Sequence, residues 1–367
     1  MSARPIGAWT QRLQAAWLTR GPGSAMLLPL AAVFGIVSAA RRSLYRRGWL
    51  QGRAVGAPVI VVGNLITGGA GKTPTVMALV AALREHGFTP GIISRGYGGS
   101  ATAPIDVDRS VPAAVCSDEP LLMHVRTGAP VVVGRDRVAA AELLLRRHPE
   151  VDLVLSDDGL QHLALARNAQ VLVFDERGAG NGRLLPAGPL RERLPREVPA
   201  RSAVLYNAAA PSTPLPGSLA RRSLAGAVSL RGWWQGEPAT RAALDALRGR
   251  PLMAAAGLAR PQRFFDMLGA QGLRFTALPL PDHFGFATLP WPRDTADVIV
   301  TEKDAIKLDA RAMSAAPGST RVWVAPLNFG LDAAFVAALV DLLPPPGPRH
   351  ANTPAHPARL PDLQGPA

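Results

Sequence analysis

The sequence predicts an α/β protein: a mostly parallel sheet wrapped by helices on both faces, followed by a smaller C-terminal α/β domain and preceded by an N-terminal membrane helix. Three observations carry this. Short apolar runs alternate with helix-length segments between residues 58 and 174. A second alternation follows between residues 203 and 343, and residues 21–40 carry no charge. Parallel strands covered on both faces read as continuous apolar runs, and helices supply the crossovers between them.

Residues 1–53 form the first region. If helical, the uncharged stretch is about 30 Å long, the thickness of a bilayer core. Arg41, Arg42, Arg46, Arg47 and Arg53 follow it, which keeps that flank cytoplasmic. Upstream, Trp9, Leu13 and Trp17 share one helical stripe, the pattern of a helix lying in the headgroup layer. Pro29 and Gly35 interrupt the stretch, so a buried core helix competes with a span. A cleaved signal peptide ending near Val37-Ser38-Ala39 is the third reading. Membrane contact is expected; spanning and surface-lying stay open.

The second region, 54–200, carries strand patterns at 58–62, 91–94, 130–133, 151–156 and 170–174, with helices at 74–85 and 137–147. Residues 179–199 break the rhythm with Gly, Pro and Arg, which reads as a long functional loop. The third region, 201–343, has strand patterns at 203–206, 227–230, 252–256, 297–301 and 321–324, and helices at 261–268 and 331–343. Residues 344–367 are proline-rich and read as a disordered tail.

The chain of 367 residues is 48% hydrophobic, enough for two packed cores. Forty basic against 27 acidic residues give a net charge of +13, and the only lysines are Lys72, Lys303 and Lys307. The excess suits a nucleic acid, an anionic membrane or a phosphorylated substrate, and equally an arginine-rich proteome, so charge alone selects no partner. Cys116 is the single cysteine; it cannot form an intrachain disulfide, and it reads as a small buried residue.

The strongest chemical signal follows the first strand pattern: Ile66-Thr67-Gly68-Gly69-Ala70-Gly71-Lys72-Thr73-Pro74. A strand, a glycine-rich turn and a helix start make a P-loop, whose backbone amides converge on phosphate oxygens. The helix N-terminus adds partial positive charge. Lys72 is placed to bridge the outer phosphates and Thr73 to hold Mg²⁺, while Pro74 suits a first helical turn. A strict pattern wants glycine where Ile66 stands. The fold expected is therefore of the P-loop NTPase type.

The strand pattern at 151–156 ends in Asp157-Asp158, the position from which P-loop proteins bring carboxylate to Mg²⁺; an Asp pair capping a turn is the plain alternative. Ser117-Asp118-Glu119-Pro120 is a second acidic knot, as much a helix N-cap as a catalytic group. Asp118 is the candidate proton acceptor for an alcohol. His283 sits in a turn that Pro281 opens; a lone loop histidine is usually just solvated. His162 is equally ambiguous. No histidine pair has zinc-ligand spacing.

With these residues in hand, the chain resembles the tetraacyldisaccharide 4'-kinase family over residues 9–330. The matching pieces are Leu27-Leu28-Pro29-Leu30, Arg41-Arg42, Val62-Gly63-Asn64, the phosphate loop, Ser94-Arg95-Gly96-Tyr97-Gly98 and Asp118-Glu119-Pro120. They continue with Asp157-Asp158-Gly159-Leu160-Gln161-His162, Gly182-Arg183-Leu184-Leu185-Pro186, Gly188-Pro189-Leu190-Arg191-Glu192, Pro281-Asp282-His283 and Thr301-Glu302-Lys303-Asp304. The resemblance implies transfer of the ATP γ-phosphate to the 4'-hydroxyl of a lipid A disaccharide 1-phosphate, at the cytoplasmic face of the inner membrane. It implies Asp118 as general base with His283 as its partner, and Lys72 and Thr73 on the phosphates. Thr73, Asp157, Asp158 and Glu192 are implied around the metal, and Arg95 and Glu119 near the substrate. ATP and Mg²⁺ are the expected cofactors, an anionic membrane surface the expected partner, and no nucleic acid is expected. Leu160 stands where the family commonly has an aromatic, and Phe284 where a second histidine is common. A membrane-associated P-loop ATPase acting as a switch is the rival reading, and it needs no base at Asp118.

Overall fold

The computed structural model describes residues 16–309 and 320–347. Trp9, Leu13 and the tail from residue 348 lie outside the described residues. The chain forms two compact units. The first is built from the described residues up to Arg222 together with Phe329–Pro345, the second from Ser223–Asn328.

The first unit opens with two helices, α1 (Pro22–Met26) and α2 (Leu28–Arg46). An eight-stranded sheet follows: β1 (Val59–Gly63), β2 (Pro90–Ser94), β3 (Ile105–Val107), β4 (Val131–Val133), β5 (Leu153–Asp157), β6 (Ala169–Asp175), β7 (Ser202–Asn207) and β8 (Ser218–Leu219). Their order is β3-β4-β2-β5-β1-β6-β7-β8, parallel throughout except for β3, which runs antiparallel to β4. Every residue of β1, β2 and β5 is buried, as expected of strands covered on both faces. Between strands run α3 (Lys72–Glu85), α4 (Ala113–Cys116), α5 (Asp118–Thr127) and α6 (Arg137–Arg147). Asp136 caps α6 by accepting the amides of Val138 and Ala139, satisfying donors that a helix start leaves orphaned.

The core of this unit joins Val61, Ile93, Val132, Leu144, Val154 and Phe174. Phe174 on β6 stacks against Tyr206 on β7 at 5.8 Å. The second unit has its own five-stranded sheet, in the order Val228–Ser229, Arg321–Val324, Asp297–Val300, Leu252–Ala256, Thr276–Pro279. Its core gathers Leu244, Phe264, Leu268 and Ile299 around Ala254.

Three expectations change. The strand pattern at 203–206, read as opening the second domain, is β7, paired in parallel with β6 over six residues. The helix Ala333–Val340 also belongs to the first unit, against α3 and β7. The membrane-spanning helix is not supported: among the described residues no helix is long and apolar enough to cross a membrane. The reason is geometric. The chain breaks at Leu27 between α1 and α2, and α2 already carries Arg41, Arg42 and Arg46 in its last turns. Its uncharged part, residues 28–40, is about 20 Å long at the helical rise, against about 30 Å of hydrocarbon. It is no core helix either: Leu30, Val33, Ile36 and Val37 are each more than half exposed and Ala31 alone is buried.

Candidate active site

β1 delivers the chain into the glycine turn, and α3 begins at Lys72, so Lys72 and Thr73 are the first helical residues and Pro74 falls in the first turn. Gly68 and Gly71 take positive φ, +96° and +91°, a region that side chains disfavour. Space is tight at the first and closed at the second. A side chain at Gly68 would meet the Arg177 guanidinium, and one at Gly71 would overlap the Asn207 amide. Those neighbours brace the turn by its carbonyls. Arg177 donates to the carbonyls of Thr67 (3.2 Å) and Gly69 (3.0 Å) while Asp175 holds its Nε. Asn207 donates to Ala70 O at 3.0 Å and Asn64 to Gly68 O at 3.1 Å. On the other side the 179–199 loop docks like a strand. Thr67 N donates to Pro189 O, Arg191 N to Leu65 O, and Ile66 bridges Leu190. The buried Ile66 side chain thus does packing work where a strict pattern has glycine.

Parallel pairing of β1 with β5 sets Asp157 opposite Val62, so the acid pair stands beside the turn. Asp157 is buried. Burial, then the neighbouring Glu119 charge, pushes its carboxyl up to about 7 against the pull of Lys72. Ser94 donates to its Oδ2 at 3.2 Å, and its buried Oδ1 has no hydrogen-bond partner. Asp158 behaves in the opposite way. Burial raises it, but Lys72 and Arg191 outweigh that and hold it below the usual carboxylate range. Lys72 Nζ lies 3.6 Å and Arg191 3.1 Å from the same Oδ1. Arg137, buried under the pair, donates to the carbonyls of Asp157 and Gly134, and its desolvation lowers it to about 10.

The acidic knot joins this group through Glu119, whose Oε2 accepts the Thr73 hydroxyl at 3.1 Å. Ser117 makes no side-chain cap for α5. Its Oγ bonds Tyr97 O and Asp118 Oδ1, and Asp118 Oδ1 also accepts Glu119 N. Ser117 is held at φ 77°, ψ 157°, a nearly glycine-only conformation that costs about 1–3 kcal/mol. The knot is therefore a constrained turn that fixes Asp118, rather than an ordinary cap. Cys116 is buried as expected, and burial pushes its thiol up to about 11.

The structure thus brings Lys72, Thr73, Asp157, Asp158 and Glu119 together at the ends of β1, β5 and α5. Glu119, expected near a substrate, is engaged with Thr73. Glu192, expected at a metal, has one oxygen on Arg42 (3.1 Å) and the other on Gln161 (3.1 Å). Arg95 is exposed just beyond β2. His283 lies in the second unit in a positive-φ turn, 3.4 Å from Lys303, which also pairs with Asp282. Sequence reasoning missed Arg177 and Asn207, and gave Asn64 no role beyond its place in the Val62-Gly63-Asn64 match. Their signal was weak: each stands at or just past the end of a strand pattern, but none belongs to the phosphate motif.

A strand, a braced glycine turn and a helix start beside paired acids define a P-loop protein of the α/β class. The profile of the family described as LpxK, tetraacyldisaccharide-1-P 4'-kinase, matches residues 23–344, and the chain belongs to that family. It is 56% identical over 334 residues to the tetraacyldisaccharide 4'-kinase of Methylibium petroleiphilum, covering 91% of this chain and 93% of that one. It is 53% identical to the namesake from Leptothrix cholodnii, covering 91% and 96%. A crystal structure described as the apo form of LpxK from Aquifex aeolicus in complex with ATP is 25% identical, with a TM-score of 0.71 over 87% of this chain and 99% of that one.

Proposed function

We propose that this chain transfers the γ-phosphate of ATP to the 4'-hydroxyl of a tetraacylated glucosamine disaccharide 1-phosphate at the cytoplasmic surface of the inner membrane. One observation carries the reading: Thr73 and Lys72 of the phosphate loop contact Glu119 and Asp158, so phosphate-binding and acidic groups form one constellation. Phosphoryl transfer asks mainly for positioning and charge stabilisation, with one carboxylate to take the hydroxyl proton.

In this reading the amides of the 68–73 turn and Lys72 hold the outer phosphates. Asp118 takes the proton of the sugar hydroxyl; two hydrogen bonds, from Ser117 Oγ and Glu119 N, hold its Oδ1 in place. His283 is the second titratable group assigned to proton transfer. Arg95, exposed, is assigned to the anionic sugar lipid.

The donor set suits magnesium. The orphaned, buried Asp157 Oδ1 and the Thr73 hydroxyl are hard oxygen ligands, and a cation would compensate a charge that burial penalises. Magnesium is commonly held by one or two carboxylates plus phosphate oxygens, here Asp157 and Asp158 with Thr73. When bound it supplies positive charge to the phosphate oxygens.

The exposed apolar row on α1 and α2, next to Arg41, Arg46 and Arg47, supports a surface-lying contact with an anionic membrane. A substrate with several acyl chains stays in the bilayer, so its enzyme must come to it. The test is incubation with Mg-ATP and the tetraacyl disaccharide 1-phosphate, followed by mass analysis of the lipid. A gain of one phosphoryl group is expected. ATP loss with an unchanged lipid overturns the reading in favour of an ATPase switch.

A further inference from the structure

We propose that Arg42, on the exposed helix α2, is a positioning residue for phosphoryl transfer, acting through Glu192 and Gln161 on the Arg191–Asp158 pair. The contacts form an unbroken chain. Arg42 meets Glu192 Oε2 at 3.1 Å, and Glu192 Oε1 accepts Gln161 Nε2 at 3.1 Å. Gln161 Oε1 accepts Arg191 at 3.0 Å, Arg191 reaches Asp158 Oδ1 at 3.1 Å, and that oxygen lies 3.6 Å from Lys72.

The logic lies in the Gln161 amide. Its two ends are chemically opposite, a donor NH₂ and an acceptor oxygen. A carboxylate accepts only, so Glu192 compels the NH₂ to face it, and the oxygen is then turned to Arg191. Asn64 O accepts the same NH₂ at 3.3 Å, so without the Glu192 charge the amide keeps its sense but loses its shorter acceptor, and its oxygen holds Arg191 less firmly. Glu192 in turn is only partly exposed, at 21%, and its rotamer is fixed by Arg42 from outside. Arg191 matters because it shares one Asp158 oxygen with Lys72. When Lys72 moves to a phosphate, Arg191 is the cation that still holds Asp158 in place. The arrangement also explains why both Glu192 oxygens are occupied away from the phosphate loop: the residue orients the acid pair instead of joining it.

This inference rests on the kinase reading, and wild-type turnover in the same assay separates the two. If the wild type makes no phosphorylated lipid, the kinase reading fails; if it does, the variants decide. Arg42→Ala and Glu192→Gln should each lower kcat on the order of ten-fold, the size typical of partners that orient an inner ligand. KM for ATP and for lipid should stay within about two-fold, since ground-state binding is untouched. Arg42→Lys should restore most of the rate. The double variant should be no slower than either single one, because both break the same chain. Unchanged kcat in Arg42→Ala overturns the proposal. So does an effect confined to the lipid KM, which would make Arg42 a headgroup contact, or additive losses in the double variant.

Discussion

Asp157 and Asp158 are neighbours in sequence with opposite electrostatics, and the difference is one of partners. Asp158 has two cations on one oxygen. Asp157 has a serine hydroxyl, a bare oxygen and Glu119 close by. A carboxyl whose folded pKa stands near 7 rather than 3.8 favours the folded state while it stays protonated. That advantage is lost as pH rises from about 4 through 7. Without nucleotide and metal, Asp157→Asn should therefore be more stable than wild type at pH 8, by on the order of a few kcal/mol. The gap should close near pH 4, as followed by urea denaturation at each pH. Saturating Mg-ATP should reverse the order at pH 8, because it stabilises only the protein that can bind it. A gap that does not vary with pH would mean Asp157 is not the strained charge described here.

At the scale of elements, the 179–199 loop, read from the sequence as a long functional loop, braces the phosphate turn. It is rich in Gly, Pro and Arg, yet ordered by one buried side chain. The two N–H groups of the Asn181 amide are shared among Ser24 Oγ, Ala187 O, Thr19 O and Ala16 O, and its oxygen accepts Arg183 N. Trp17 donates to Pro186 O from the same N-terminal segment. The other end of the loop pairs with Leu65 and Thr67, just ahead of the glycine turn. Asn181→Ala would take the acceptor from Arg183 N and remove a buried polar side chain that ties the loop to the N-terminal segment, at about 1–3 kcal/mol. Hydrogen exchange should then accelerate in residues 182–191 and in the 65–67 amides together. Acceleration confined to the N-terminal segment would show that the loop does not brace the turn.

What could be read in advance divides along the same line. The phosphate turn, the strand ending in Asp157 and the knot at Asp118 were legible because their chemistry is local, set by glycines, apolar runs and adjacent acids. Arg177, Asn207 and Asn181 were not, because they act on residues more than a hundred positions away. β7 was read as the start of the second domain because an apolar run does not say which sheet it joins. The apolar stretch at 21–40 misled for a similar reason: composition counts residues, while the break at Leu27 and the early arginines of α2 set the usable length.

At the scale of the whole molecule, the proposed contact with anionic lipid falls on the uncovered apolar row of α2. Ile36→Asp with Val37→Asp should lower co-flotation with vesicles carrying an anionic lipid. Turnover on detergent-dispersed substrate should fall much less. Equal flotation of the variant and wild type would place the lipid contact elsewhere.

The central claim is that the phosphate loop sends its γ-phosphate to a lipid alcohol and not to water. The most direct measurement is a rapid-quench single turnover with γ-labelled ATP, counting label in the lipid fraction and in free phosphate. The account predicts label in the lipid for the wild type and none for Asp118→Asn or Lys72→Ala. Label appearing only as free phosphate, or lipid labelling that survives Lys72→Ala, would contradict it.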